Sequence, residues 1–540
     1  MLPNAGGTGM GIVSGCRRLL AAAAGCMLAA AAVAAPPEGF GQRVEAALRA
    51  HGAPGLSIAI VEDGQVVHAK GYGVRRLGSD EPVDADTIFP TGSTGKAVTA
   101  AALAILVEEG RLCWEDRVID HLPDFRMYDP WVTREMTVRD LLVHRSGLGL
   151  GAGDLLFVPR TSRSRAEIVH ALRHIRPATS FRSGYAYDNI LYIVAGEVVA
   201  AASGQSWESF VSERIFRPLG MATAASRLEE RFANPNRAHP HARLDPRLRG
   251  LGPQQVLPER EGLDQVMAPA GGLAWSANDF ARWIQAQLAL GEVPGGNGAR
   301  LWSEANAREM WTMHIPIPVR PGPPPTDVVS PQFAGYGLGW GVQDYRGVRV
   351  LQHSGAVFGS LAFVVLVPER RVGFALMVNS EDGYLLRGLA YELLDHYLGF
   401  EPRDWVSVYA QLNQSRLAAG LKAVEEAKKS AARKGGRHSL PLSGYAGRYV
   451  DDWYGPIVIA EQGGRLRVDF TRSPGMTGTL THWQYDTFRI DWDDASIEPA
   501  FATFALDAEG RVERITMKAV SPLADFSYDY HDLLFRPAKD

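Results

Sequence analysis

Ser93 and Lys96 stand three residues apart in Phe89-Pro90-Thr91-Gly92-Ser93-Thr94-Gly95-Lys96. They open an almost continuously apolar run from Ala97 to Val107, which closes on Glu108, Glu109 and Gly110. A glycine just past such a run marks a helix end, and a helix apolar all round is buried. Residues i and i+3 share one helix face, so the Lys96 amine is expected within hydrogen-bond reach of the Ser93 hydroxyl. Burial lowers a lysine from its ordinary value of about 10.4, and a neutral amine can take a proton from serine. The helix N-terminus also favours developing negative charge. That pairing describes nucleophilic catalysis by serine. Two other motifs fail at single positions. A phosphate-binding loop needs glycine where Pro90 stands and Ser or Thr where Ala97 stands. The G-x-S-x-G elbow needs glycine where Thr91 stands.

The elements that must hold this pair follow in order. Residues 40–50 read as a short amphipathic helix. Leu56–Val61 and Val66–Gly73 flank Asp63-Gly64 as a hairpin. Met136–Leu148 reads as a capped helix stopped by Gly147, with His144 as a helix-end histidine bonding nearby backbone. Helices are expected near 166–175, 188–202, 206–215 and 276–290. Residues 314–331 form a proline-rich loop. From Tyr336 the period changes to short strands, ending at Asn379, and a helix follows over 385–397. Strands at both ends with helices between predict an α/β fold: an antiparallel sheet flanked by helices, with a helical domain inserted. Residues 404–440 read as a helical linker. Residues 441–540 alternate as short strands and predict a C-terminal all-β, barrel-like domain.

The chain has 540 residues, 46% hydrophobic and 21% charged, with net charge −4. This balance fits two or three globular domains and gives no basic footprint for nucleic acid. Arg17-Arg18, an apolar Ala- and Leu-rich core and Ala32-Val33-Ala34 describe a signal peptide over 1–34. The expected location is therefore periplasmic or secreted, without stable membrane insertion. Gly25-Cys26 offers a lipoprotein-type site, but apolar residues continue past it. Cys16 and Cys26 fall in this leader, so Cys113 alone remains and no internal disulfide can form. His170 and His174 stand four apart, but Ala171 replaces the glutamate of a metal motif and no third ligand is evident. No metal and no cofactor are expected.

Two later stretches make the serine credible. Tyr187-Asp188-Asn189 precedes the buried run Ile190–Val199, and His353-Ser354-Gly355 ends a strand. With Ser93-Thr94-Gly95-Lys96 they resemble, in order, the three motifs of the serine β-lactamase and penicillin-binding-protein superfamily. The branch resembled holds class C β-lactamases, D-aminopeptidases and family VIII esterases. Leu141–Leu148 and Ala270–Ser276 are similar to further family stretches. The resemblance covers about residues 40–400, within a hydrolase domain placed at 35–403. Residues 441–540 resemble, less specifically, a lipocalin-like domain appended to some members. The resemblance implies acyl transfer through an acyl-enzyme on a small ester, amide or peptide. Its catalytic group would be Ser93, Lys96, Tyr187 and His353, with Tyr187 held near tyrosinate by neighbouring cations. Asn189, Ser354 and Gly355 would bind substrate, Asn189 through a substrate amide. The backbone N–H groups of Ser93 and Ala356 would form the oxyanion hole. One departure stands out: the β-lactamases carry lysine where this chain has His353. A mostly neutral group there should weaken recognition of a β-lactam carboxylate and favour esters or D-amino-acid peptides. The alternative is a catalytically idle protein of the same fold that binds a ligand or regulates, with the barrel as its binding surface.

Overall fold

The computed structural model describes residues 36–259, 265–434 and 436–538. The expected leader, with Cys16 and Cys26, lies outside the described residues. Six helices matter for the site: α1 (Phe40–His51), α2 (Lys96–Glu108), α3 (Ile190–Ser203), α4 (Ala277–Leu288), α5 (Gly383–Leu398) and α6 (Trp405–Lys434). The main sheet is built from β1 (Gly55–Glu62), β2 (Gln65–Gly73), β3 (Ile315–Pro316), β4 (Ala334–Tyr336), β5 (Gly341–Tyr345), β6 (Val348–Val357), β7 (Ser360–Val367) and β8 (Val372–Val378). Its order is β2-β1-β8-β7-β6-β5-β4-β3, all neighbours antiparallel. The N-terminal hairpin thus closes on the last strands.

Alternation along these strands feeds two cores. Leu56, Ile58 and Ile60 with Phe363, Val365, Phe374 and Leu376 face one side, where α1, α5 and the start of α6 cover them. Ala59, Val61, Val364, Leu366, Ala375 and Met377 face the other, against α2, α3 and α4. Both faces are therefore buried, which explains why these strands read as continuous apolar runs.

Residues 447–537 form a closed barrel of eight antiparallel strands. Tyr445, Phe488 and Phe504 meet inside it with ring centroids 4.9–5.6 Å apart, and Phe470 lies edge-on to Trp492 at 5.2 Å. Aromatic side chains fill this interior. The barrel core is continuous with that around α2. Helix α6 does more than connect: Trp405, Val406 and Tyr409 pack under the sheet. Among the described residues no helix is long and apolar enough to cross a membrane.

One expected element is absent. Residues 136–148 do not form a helix; they hold a single 3-10 turn, Arg139–Leu141, followed by irregular turns. The buried Asp140 carboxylate accepts from the Thr137 N–H at 3.0 Å and hydroxyl at 2.9 Å, and from Arg145 at 2.7 Å. Those side-chain bonds replace the helical ladder, and His144 takes φ +58°.

Two glycines let β6 lie against the turn that carries Ser93. A Cβ on Gly355 would sit 1.9 Å from the Thr91 carbonyl oxygen, and one on Gly92 2.5 Å from the Ala356 nitrogen. Gly355→Ala must push the strand back, and overpacking of this kind costs about 1–3 kcal/mol. Urea unfolding should show that loss, and an unchanged midpoint would contradict this packing.

Candidate active site

The residue before α2 starts is no longer α-helical: Gly92–Gly95 is a 3-10 turn, and α2 begins at Lys96. Eleven of its thirteen residues are buried, Lys96 among them. The Lys96 amine lies 3.0 Å from Ser93 Oγ, 2.6 Å from Asn189 Oδ1 and 2.8 Å from the Ala270 carbonyl. It also stands over the rings of Tyr187, at 4.8 Å, and Tyr192, at 5.1 Å. Burial pulls its pKa down to about 7, against the opposing pull of Asp154 and Asp188.

Partner chemistry fixes what a neutral Lys96 does. Carbonyl oxygens only accept. The two hydrogens of the amine therefore go to Asn189 Oδ1 and Ala270 O, and its lone pair faces the Ser93 hydroxyl. That is the arrangement of a general base beside a nucleophile.

Tyr187 lines the same cleft as Ser93, with the Lys96 amine 4.8 Å from its ring centroid. Its ring is packed against His144, with centroids 4.2 Å apart, and edge-on to Phe526 at 5.8 Å. Burial raises the phenol well above its ordinary value of 10. The expected tyrosinate is thus corrected: enclosure among aromatic rings outweighs the one nearby cation, so Tyr187 is a neutral phenol. His144 is fully enclosed and accepts from the Asp188 N–H at 3.2 Å.

His353 also differs from the expectation of a catalytic side chain. Its Nδ1 lies 2.6 Å from the Ser354 carbonyl, which can only accept, so Nδ1 carries the proton. Nε2 then accepts from the Tyr336 hydroxyl at 2.7 Å. Both nitrogens are engaged by the protein. Burial, then the Lys96 charge, lower its pKa to about 3, so it is neutral. Asn189 differs similarly. Its Oδ1 is held by Lys96 and its Nδ2 donates to Asp154 at 2.8 Å, which occupies the ends expected to grip a substrate amide. Ser354 and Ala356 face outward from β6, and Gly355 is buried between them.

These groups lie at the floor of a cleft of about 610 Å³, lined by Ser93, Tyr187, Asn189, His353, Ser354 and Ala356. Phe157, Val158 and Ile317 contribute walls from the two loops flanking it. Residues that sequence reasoning passed over are also there. Tyr336 read only as a strand start; Asp154, which holds Asn189 from behind the cleft surface, sits in a Gly-rich loop with no motif. Phe526, Ser527 and Tyr528 line the cleft from the barrel, far along the chain. Nothing local marked any of them. His170 and His174 lie with ring centroids 6.2 Å apart, and no group of three or more potential metal ligands occurs among the described residues.

Comparison with known proteins adds to this. Residues 40–397 match the family model described as Beta-lactamase, and residues 431–537 match Domain of unknown function (DUF3471). Among similar proteins, penicillin-binding protein 4 of Amycolatopsis lactamdurans is 30% identical, over 63% of this chain and 84% of its own length. The unguisins hydrolase ungD of Aspergillus violaceofuscus is 27% identical, over 87% of this chain and 84% of its own length. Among solved structures, the octameric penicillin-binding protein homologue from Pyrococcus abyssi matches with a TM-score of 0.58 at 22% identity, covering 92% of this chain and all of that one. SurE matches with a TM-score of 0.54 at 21% identity, covering 93% and 98%. At those identities the two structures speak for the fold alone.

The Lys96 environment has a thermodynamic signature. The unfolded lysine titrates near its ordinary 10.4, the folded one near about 7. Between these values the unfolded state binds more protons, so stability rises with pH. Asp154, raised to about 7 by burial, is still titrating at pH 7 and opposes the rise only at its foot. Relative to Lys96→Met, denaturant unfolding should therefore show the wild type gaining roughly 2 kcal/mol from pH 7 to pH 9, below the range in which the buried tyrosines, raised above 10, lower stability. Lys96→Met should flatten that rise, and an equal slope in both proteins would refute the depressed lysine.

Proposed function

Because the chain belongs to the beta-lactamase family, we propose that it is a serine hydrolase acting through a Ser93 acyl-enzyme on small esters or amides, D-amino-acid peptides included. The observation that carries this reading is the Lys96 lone pair directed at Ser93 by two fixed acceptors.

In this reading the Ser93 hydroxyl proton passes to Lys96 as Oγ attacks the substrate carbonyl carbon. The oxyanion of the tetrahedral intermediate is taken up by the backbone N–H groups of Ser93 and Ala356, brought side by side by Gly92 and Gly355. One such donor is worth roughly 3–4 kcal/mol in the transition state. Tyr187, a neutral phenol that lines the cleft with Ser93, donates its proton to the leaving oxygen or nitrogen and is reprotonated from Lys96. The leaving group departs and water repeats the sequence on the acyl-enzyme. Ser354 offers its exposed edge to the substrate, while neutral His353 holds Tyr336 in place. A neutral residue 353 supports ester and peptide substrates over β-lactams, whose carboxylate finds no ammonium at that position. The N-terminal segment Arg17–Ala34 supports a periplasmic or secreted location.

The test uses a fluorophosphonate label, a p-nitrophenyl ester, D-alanyl p-nitroanilide and nitrocefin. Label and turnover should disappear in Ser93→Ala, and nitrocefin should be the poorest substrate. The kcat/KM profile should rise through an acid limb near pH 7, where Lys96 loses its proton. Ester turnover that survives Ser93→Ala would overturn the proposal.

A further inference from the structure

The orientation of the Asn189 amide decides where the Lys96 lone pair points. With Oδ1 toward Lys96, the amine donates to Asn189 and faces Ser93 with its lone pair. With the amide reversed, Nδ2 would donate to the amine and draw the lone pair away from the serine. Asp154 prevents the reversal. Its Oδ2 accepts from Asn189 Nδ2 at 2.8 Å and from Ser527 Oγ at 2.7 Å; an oxygen that takes two donors carries no proton to offer a reversed amide oxygen.

Asp154 is itself held from the barrel. Ser527 Oγ donates to the same Oδ2 at 2.7 Å. Asp529 accepts from the backbone N–H groups on either side of Asp154, Gly153 at 2.7 Å and Leu155 at 3.0 Å. The turn carrying them closes on itself, with the Tyr528 N–H bonded to the Asp525 carbonyl at 3.0 Å and the Ser527 N–H to its side chain at 2.9 Å. Phe526 in that turn seats on Gly151, where a Cβ would come within 2.7 Å of its ring. Asp154 and Asp529 are both fully buried, and Asp154 Oδ1 has no hydrogen-bond partner. Asp154 is absent from the cleft lining, so it does not touch substrate.

We infer that Asp154 is the positioning residue of this active site, and that the barrel turn 525–529 is a built part of the catalytic centre because it holds Asp154. This rests on the hydrolase reading above. Asp154 locks the amide, the amide aims the amine, and the amine activates the serine. The charged and titratable groups facing Lys96 are Asp154, Asp188, His144, His353, Tyr187 and Tyr192; those facing Asp154 are Lys96, Asp525, Asp529 and Tyr187.

Three variants assayed on the p-nitrophenyl ester separate positioning from folding. Asp154→Ala releases the amide and should lower kcat roughly 10- to 100-fold, with KM unchanged. Asp154→Asn keeps an acceptor for Asn189 and should recover most of that kcat. It also removes a charge that favours the ammonium, so its acid limb should move to lower pH by roughly one pH unit. Ser527→Ala weakens the Asp154 anion and should move the limb the same way by less. The inference is overturned if Asp154→Ala keeps kcat within about twofold, if Asp154→Asn is as impaired as Asp154→Ala, or if the limb stays in place in Asp154→Asn and Ser527→Ala. Should Asp154→Ala not fold, the limb in the other two variants decides. An inert Ser93 in the wild type would instead sink the hydrolase reading and this inference together.

Discussion

A primary amine buried beside a serine hydroxyl is stable in only a few arrangements, and the rest of this molecule follows from the one it adopts. Taking an ammonium out of water costs several kcal/mol, and Lys96 answers that cost partly by losing its proton near neutral pH. The neutral amine still has two hydrogens to satisfy. Ala270 O and Asn189 Oδ1 take them, which requires the start of α3 and the 268–271 turn to meet at the first residue of α2. The largely apolar character of α2 and α3 serves this meeting. Helices buried this extensively cannot rotate without exposing apolar surface, so the register of Lys96 against Asn189 is fixed by packing.

The same low-polarity setting governs the neighbours. Burial keeps Tyr187 a phenol and His353 an imidazole. With Lys96 near its midpoint, the cleft floor carries little fixed charge at neutral pH. Such a site moves a proton between groups of the protein without first having to solvate an ion. It also explains why His353 is tolerated where an ammonium would have added a second buried cation. Its two nitrogens are satisfied by one phenol and one carbonyl, as an imidazole allows and a lysine does not.

Much of this was legible in the chain because it is local. The i, i+3 spacing of Ser93 and Lys96, the run of buried helix behind them and the alternation of β6–β8 all express short-range periodicity. The barrel-like C-terminal domain was legible for the same reason, from strand-length alternation and glycine turns, while its closure came from the pairing of its first and last strands. What could not be read is set by tertiary contact. The stretch 136–148 has a helical pattern, but Asp140 bonds Thr137 and two arginines instead. The charge state of Tyr187 depends on rings contributed by three separate segments. Asp154 and Ser527 lie 373 residues apart, and no spacing rule reaches that far.

That long-range contact also constrains how the barrel can sit. Beside its apolar contacts, its junction with the rest of the chain has a buried polar part: Asp529 accepts two backbone N–H groups and Ser527 donates to a buried carboxyl. An apolar junction tolerates sliding, because one methyl group replaces another at small cost. Here a displacement of one residue would leave two N–H groups and two buried carboxyls without partners, each worth about 1–3 kcal/mol or more. Further out, Arg472 pairs with Glu167 at 2.6 Å and Arg249 donates to the Ser496 carbonyl at 2.5 Å, so the junction is pinned at its edges as well. A barrel held this firmly, its interior filled by aromatic rings, presents the turn 525–529 to Asp154 in a fixed position.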